Sequence, residues 1–361
     1  APEDHELARG GVFHLYNHRN SQMSTTLKIQ PHKILIVRLS SLGDIVHGIP
    51  LCQQLKKHYP HACISWLTRE KYKELLQMNV CLDTIFTISD IGQNKRLKRI
   101  KEIWRIIYLI RRERFDVVID LHCVLISAII VLLSGAHIKL GIDKKNDIGL
   151  KMFTYYTLSK GNKLHRIHTY LSVLRILGID DYEISFPLAI PTEIHRKIDH
   201  FLTSQNITYN DLVIAIHPGT SVEIKRWDEK NFAALASQLA SEYKTKVIIL
   251  FDAGEKHLAK TFKSMASSLN IICAPTFSLK ELAALLHRCD VFIGNDSGPL
   301  HLASALGTSA VGLFGPSDAS VSGPYGYGHK VVRASLPCRP CYNNFFITFT
   351  CKNGTAACMS N

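Results

Sequence analysis

Short β-branched runs recur along the chain, and each is followed by a longer stretch with helical apolar spacing. Residues 33–38, 62–67, 84–88 and 116–120 read as buried strands, and 45–58, 70–78, 95–113 and 124–134 as helices, the first stopped by Pro60. The 95–113 segment is a basic amphipathic helix with Leu97, Ile100, Trp104 and Ile107 on one stripe. This strand–helix alternation predicts a doubly wound parallel sheet. After a polar helix at 193–205, which links the halves, the pattern restarts. Strands are expected at 212–216, 246–251, 270–273, 291–293 and 310–314, with helices at 229–243, 255–268, 278–288 and 299–306. Two Rossmann-like halves joined near residue 190 are expected to face each other across a cleft.

A chain of 361 residues has room for two domains, and a hydrophobic fraction of 46% against 20% charged describes a well-cored protein. The strongest apolar run, 124–133, is too short to span a bilayer and reads as a buried helix. Residues 1–22 are polar and lack the apolar centre of a secretory signal, so Met23 reads as the natural start, 1–22 as an extension outside the fold, and the cytosol as the default location. The net charge of +13 is unevenly spread. Residues 23–190 carry 25 Lys and Arg against 14 Asp and Glu, and residues 191–361 carry 16 against 13. Nucleic acid, anionic lipid and a phosphorylated small molecule all suit such a surplus. Of ten cysteines, Cys52, Cys63, Cys81, Cys123, Cys273 and Cys289 sit among apolar residues and read as buried thiols. Cys338, Cys341, Cys351 and Cys358 cluster near the end; the CxxC pair allows a metal site, but the wider spacings are not those of zinc modules.

Two loops carry the candidate chemistry. His217-Pro-Gly-Thr220-Ser221 leads to Lys225-Arg-Trp227, and Gly294-Asn-Asp296-Ser297-Gly298-Pro-Leu-His301 opens a helix. Each follows a strand, where open α/β sheets bind ligands. Small residues, free N–H groups and a helix N-terminus suit a diphosphate, with Lys225 in reach as a point charge. An ordinary helix cap by Asp296 or Ser297, a solvated lysine and buried structural histidines at 217 and 301 explain the same residues one at a time. Glu255 can accept ribose or sugar hydroxyls, or simply complement a helix dipole. Asp44, in a turn where Gly43 is free to take a strained angle, can deprotonate an incoming hydroxyl or cap the next helix. There is no Asp-x-Asp clamp, GxGxxG fingerprint, P-loop, HExxH or GxSxG. A diphosphate held here is neutralised by Lys225 and backbone N–H groups, with no obligatory divalent metal.

Several separated motifs now converge. Ile36-Val-Arg-Leu-Ser-Ser-Leu-Gly-Asp44, Asp120-Leu-His122, Gly135-Ala136, Gly141, His217-Pro-Gly-Thr220, Lys225-Arg-Trp227, Gly254-Glu255 and Gly294 to His301, with Gly315-Pro-Ser-Asp318, resemble in order the bacterial heptosyltransferases of glycosyltransferase family 9. The terminal Cys cluster is similar to one in many members. The resemblance implies an α/β GT-B fold, with an acceptor domain over 23–190, a nucleotide-sugar domain over 191–335 and a Cys-containing tail at 336–361. Members usually continue into a final helix, so the tail is expected to stop short of it.

The implied activity is inverting transfer of L-glycero-D-manno-heptose from ADP-heptose to the Kdo and heptose inner core of lipopolysaccharide. Asp44 would be the base on the acceptor hydroxyl, and Lys225 would stabilise the departing ADP. Thr220 and Ser221 would lie near the phosphates, Glu255 at the ribose or sugar, and Asp296, Ser297, Gly298 and His301 at the donor. The acceptor is phosphorylated and lipid-anchored, which implies a cytoplasmic enzyme peripheral to the inner membrane; the basic first half and the helix at 95–113 suit that surface. Two other readings stand beside it. One is a GT-B enzyme or epimerase using another nucleotide sugar. The other is a basic nucleic-acid-binding protein, although no such motif is present.

Overall fold

A computed structural model describes residues 13–17, 26–27, 29–90, 96–142, 155–159, 164–252, 254, 262, 268–341, 351 and 354–360. The chain divides into two compact units, Ala1–Ala189 and Ile190–Asn361.

In the first unit the β-branched runs form strands β1 (Phe13–Asn17), β2 (Lys33–Val37), β3 (Cys63–Arg69), β4 (Thr84–Ile88), β5 (Val117–Asp120), β6 (Ile138–Ile142) and β7 (Tyr155–Ser159). Their order is β1-β7-β6-β5-β2-β3-β4, parallel except that β1 runs against β7. Ile34 to Val37 and Val117 to Ile119 are fully buried, as central strands covered on both faces must be. The chain leaves β2 toward β3 and β4, then returns to β5 on the other side. The crevice between β2 and β5 is therefore the topological switch point of this sheet.

Helices α1 (Leu42–His58), α2 (Lys73–Gln77), α3 (Arg96–Glu113), α4 (Leu125–Leu133) and α5 (Arg166–Leu171) complete the unit. Helix α1 begins three residues earlier than its apolar period suggests, because Ser41 serves as N-cap and Asp44 occupies the first turn. Gly43 is thus helical, not a strained turn residue. The helix also runs through Pro50, whose ring leaves one intrahelical bond unmade. The expected helix over 95–113 forms as α3, and its stripe is divided between core and surface. Its buried side chains are Ile106, Ile107 and Ile110, whereas Leu97, Ile100 and Trp104 face outward. Nor is α4 wholly buried, since Leu125 and Leu132 are exposed. Phe13–Asn17, expected to lie outside the fold, forms an edge strand.

The second unit holds α6 (Thr192–Ser204), β8 (Val213–His217), α7 (Glu229–Glu242), β9 (Lys246–Ile249), β10 (Ile271–Cys273), α8 (Leu279–Arg288), β11 (Val291–Asn295), α9 (Gly298–Ala305), β12 (Ser309–Leu313), α10 (Ala319–Ser322), β13 (Lys330–Val332) and α11 (Ala357–Ser360). The expected linking helix, α6, belongs here and packs on α8 through His195 on His287 and the Lys197–Glu281 ion pair, and on the segment leading into it through Phe201 on Phe277. Of the helix expected over 255–268, only Phe262, which is helical and buried, and Ser268, which lies outside any helix, are among the described residues. All strands are parallel in the order β10-β9-β8-β11-β12-β13, so the switch point falls between β8 and β11.

Close backbone approach fixes α9 on the sheet. A Cβ at Gly312 would lie 2.8 Å from both Leu300 Cδ2 and the Phe314 ring. Gly312→Ala is therefore expected to cost about 1–3 kcal/mol by overpacking. Urea unfolding measures this, and an unchanged midpoint would show that the packing there yields.

Candidate active site

Asp44 sits at the carboxyl end of β2, beside the switch point of the first sheet. Its Oδ2 accepts the Ser41 backbone N–H at 3.3 Å and the Ser41 hydroxyl at 2.9 Å, so it acts as the capping acid of α1. Yet it also stands amid a cluster that capping does not require. Arg38, nearly fully buried, forms an ion pair with Oδ2, and its other nitrogen donates to Leu121 O at 2.8 Å. From α5, the Tyr170 hydroxyl donates to Oδ1 at 3.2 Å and Arg166 Nε lies 3.7 Å away. Burial alone would raise the Asp44 pKa; the charges of Arg38, Arg166 and His47 and the Ser41 hydrogen bond outweigh it and hold the carboxyl well below the usual range.

Asp120 closes the other side of this crevice. Its Oδ1 accepts the N–H groups of His122 and Cys123 at 2.8 and 2.9 Å, turning the chain so that His122 Nδ1 meets the Leu39 N–H at 3.2 Å. The His47 and His165 rings meet edge-on, 5.3 Å between centroids, next to Asp44. The loops after β2 and β5 and the start of α5 thus build one polar pocket wall from residues far apart in sequence.

In the second unit both loops flank the crevice between β8 and β11. Asn295, the buried last residue of β11, holds them together: its Nδ2 donates to Pro218 O at 2.7 Å and its Oδ1 accepts the Trp227 N–H at 3.1 Å. Lys225 Nζ lies 2.7 Å from Asp296 Oδ2, with side chains 14% and 6% exposed. His301 Nε2 is 3.5 Å from the other oxygen, Oδ1. Burial opposes ionisation of Asp296, but the Lys225 charge and His301 overcome it and push its carboxyl far below the ordinary value. Asp296 is therefore turned onto Lys225 and His301 and positions both.

Ser297 is the N-cap of α9, but its side chain makes no capping bond, and its buried hydroxyl has no partner among the described residues. The first-turn N–H groups of Gly298 and Leu300 have no intrahelical acceptor either, and Pro299 has no N–H to offer. Thr220 is buried: its carbonyl accepts from Arg226 at 3.2 Å and its hydroxyl accepts the Val222 N–H at 3.4 Å. Ser221 is exposed on the same loop. His217 is buried, with Nε2 3.9 Å from Asp252. Glu255 lies outside the described residues.

A model of glycosyltransferase family 9 (heptosyltransferase) matches residues 103–346. The chain belongs to glycosyltransferase family 9. It is 29% identical to lipopolysaccharide heptosyltransferase 1 of Campylobacter coli over 78% of this chain and 84% of the relative. It is 28% identical to lipopolysaccharide heptosyltransferase 3 of Escherichia coli over 76% of this chain and 81% of that one. Among solved structures, a family 9 glycosyltransferase from Veillonella parvula superposes with a TM-score of 0.76 at 25% identity, covering 86% of this chain and 88% of that one. The Escherichia coli heptosyltransferase WaaC with ADP gives 0.68 at 21%, covering 84% and 93%. Its fold class is GT-B, and its enzyme class is glycosyltransferase.

Sequence reasoning missed Arg38, Arg166, Tyr170 and Asn295. Arg166 and Tyr170 carry a weak signal, four residues apart and so on one helix face. Of the six cysteines read as buried, Cys52, Cys123 and Cys289 are so, while Cys63, Cys81 and Cys273 are partly exposed near strand ends. Cys338, Cys341, Cys351 and Cys358 line one cavity of about 240 Å³ with Ile224, the neighbour of Lys225. Among the described residues no three His, Cys, Asp or Glu side chains are arranged to hold a metal ion.

Proposed function

We propose that this enzyme transfers L-glycero-D-manno-heptose from ADP-heptose to the inner core of lipopolysaccharide, with inversion at the anomeric carbon. The curated relatives are lipopolysaccharide heptosyltransferases, and WaaC was solved with ADP. The observation that carries the chemistry is the buried Lys225–Asp296 pair beside the start of α9, where the Ser297 hydroxyl and first-turn N–H groups await an acceptor. Such a group receives a diphosphate through hydrogen bonds and a helix dipole.

In the proposed step the acceptor hydroxyl attacks the anomeric carbon as its bond to the β-phosphate oxygen breaks. The hydroxyl proton passes to Asp44, and the electron pair leaves with ADP. Lys225 and the α9 N-terminus stabilise that developing charge. Thr220, Ser221 and His301 border the phosphates and Glu255 meets the ribose or sugar. The acceptor is lipid-anchored, so the enzyme works from the cytoplasm at the inner membrane surface. No helix among the described residues is long and apolar enough to cross a membrane.

The test is incubation with ADP-heptose and a panel of truncated lipopolysaccharide acceptors, following ADP release and the mass of the product. Preference for a uridine or guanosine sugar donor would sink the heptose assignment.

The Asp44 environment also sets a pH dependence. Its folded pKa is depressed, so the carboxylate stays ionised down through the ordinary carboxylate value of about 4. The acid limb of kcat/KM contributed by Asp44 should therefore lie below about pH 4. The stabilisation from its ion pair is likewise complete above the unfolded value and is lost only as pH falls toward the folded one. An acid limb near 6 that persists in Asp44→Asn would assign the base to His47 or His165 instead.

A further inference from the structure

We propose that α3, with the start of α4, is a docking surface that seats the first unit on an anionic lipid bilayer. This rests on the lipid-linked acceptor of the proposed function for its purpose, but on exposed side chains for its evidence. Leu97, Ile100, Trp104 and Tyr108 are 76%, 51%, 59% and 61% exposed. At about 100° per residue they fall within about 80° of one another on the helix. They form an exposed apolar stripe that adjoins the buried Ile106, Ile107 and Ile110 face at Ile107, about 20° from Ile100 around the helix. Lys98, Lys101, Arg105 and Arg112 are exposed along one edge of that stripe, and Arg111 within it. The acid on this part of the helix, Glu102, is held by Arg105 at 2.7 Å, which lowers its pKa to about 2.

Helix α4 extends the surface. It has no charged residue, packs beside α3, and exposes Val124, Leu125 and Leu132. Both helices run antiparallel to the strands they connect, as crossover helices in a parallel sheet do. Their N-terminal ends, bearing Leu97, Ile100, Val124 and Leu125, therefore lie at the carboxyl edge of the sheet, the edge that carries Asp44. A bilayer meeting this face meets the same end of the unit as the acceptor loop.

Charge and apolarity together select the occupant. A nucleic acid would satisfy the basic edge but leave the apolar stripe in water. A second copy meeting the same face would oppose two basic edges. An anionic bilayer accepts both: apolar side chains enter the interface, Trp104 sits at headgroup depth, and Lys and Arg meet lipid phosphates.

Flotation of the whole chain with two kinds of vesicle tests this, without donor or acceptor. One contains phosphatidylethanolamine and phosphatidylglycerol, the other phosphatidylcholine alone. The protein should prefer the anionic vesicles, with salt weakening the binding. Lys98→Glu and Lys101→Glu should each weaken it about fivefold or more, and the double variant Leu97→Glu/Trp104→Glu should abolish it. All three should unfold as wild type does and turn over a lipid-free acceptor at the wild-type rate. Variants that bind vesicles like wild type, a wild type indifferent to lipid charge, or a dimer that the same variants dissolve would each overturn the proposal. Vesicle binding without heptose transfer would keep this surface and remove the proposed reaction.

Discussion

Asp44→Asn should lower turnover about 10²–10⁴-fold, the range expected when a general base is lost, while ADP binding to the second unit is unchanged. The amide oxygen can still accept the Ser41 hydrogen bonds and the amide N–H can donate to the Tyr170 hydroxyl oxygen, so the local geometry largely survives. It cannot take a proton, and it no longer neutralises Arg38. Leaving a buried guanidinium without its anion costs about 3–5 kcal/mol in general; partial exposure of Asp44 puts this pair at the lower end. Activity must therefore be read beside thermal unfolding. Arg38→Met/Asp44→Asn separates the two effects, because it removes the orphaned charge. Stability should largely return in that double variant and turnover should not. A folded Asp44→Asn protein that keeps its turnover would remove Asp44 as the base.

The low pKa of Asp44 bears on the timing of the reaction. A carboxylate held down by two arginines is a weak base, poorly suited to ionising a sugar hydroxyl before attack. It suits a step in which the hydroxyl loses its proton late, once bonding to the anomeric carbon has made it acidic. In the proposed reaction most of the barrier reduction is therefore asked of the leaving-group side, where Lys225 and α9 would receive the diphosphate.

How much of this could be read from the residues follows from the range of the forces involved. Strands such as 33–37 and 213–217 were legible because burial on both faces leaves a continuous apolar run. The two loops were legible because Pro299, Gly298 and Ser297 carry helix-start chemistry locally. The inward face of helix α3 was not legible, because periodicity reports that apolar residues share a face without saying which of them meet the core. The apolar residues run on around the helix from Ile110 through Ile107 to Leu97, and only packing chose Ile106, Ile107 and Ile110 for the inside. Strands β6 and β7 lack a clean pattern. Lys139 and Gly141 interrupt the first, and Tyr155 and Tyr156 open the second.

The site shows the same divide. Asp44 and Lys225 announced themselves through their loops, yet their partners could not. Arg166 and Tyr170 reach Asp44 across more than a hundred residues, and Asp296 reaches Lys225 across 71. Sequence placed Asp296 at the donor or as a helix cap. Its low exposure and its 2.7 Å contact with Lys225 make it the group that aims the lysine.

Lys225→Met tests that arrangement with the largest expected effect on donor binding. Loss of a charge-assisted hydrogen bond is worth about 1.5–3 kcal/mol, so ADP should bind about 10–100-fold more weakly by calorimetry. The variant also strands Asp296, 6% exposed, with His301 as its remaining neighbour. That should cost about 3–5 kcal/mol of stability near neutral pH. The pH dependence gives this cause a signature. In the wild type Asp296 has a depressed pKa, so its pairing stabilises the fold above the ordinary carboxylate value and the benefit is lost below it. With Lys225 gone, burial dominates and pushes the carboxyl upward, so acidification neutralises it and relieves the variant. The stability gap between the two proteins should therefore narrow as pH falls through 6 toward 4. Lys225→Met/Asp296→Asn should close the gap at every pH and still bind ADP weakly, since the amide supplies no cation. Wild-type ADP affinity in either variant would reduce Lys225 to a structural partner of Asp296 and leave the α9 N-terminus as the sole receiver of the diphosphate.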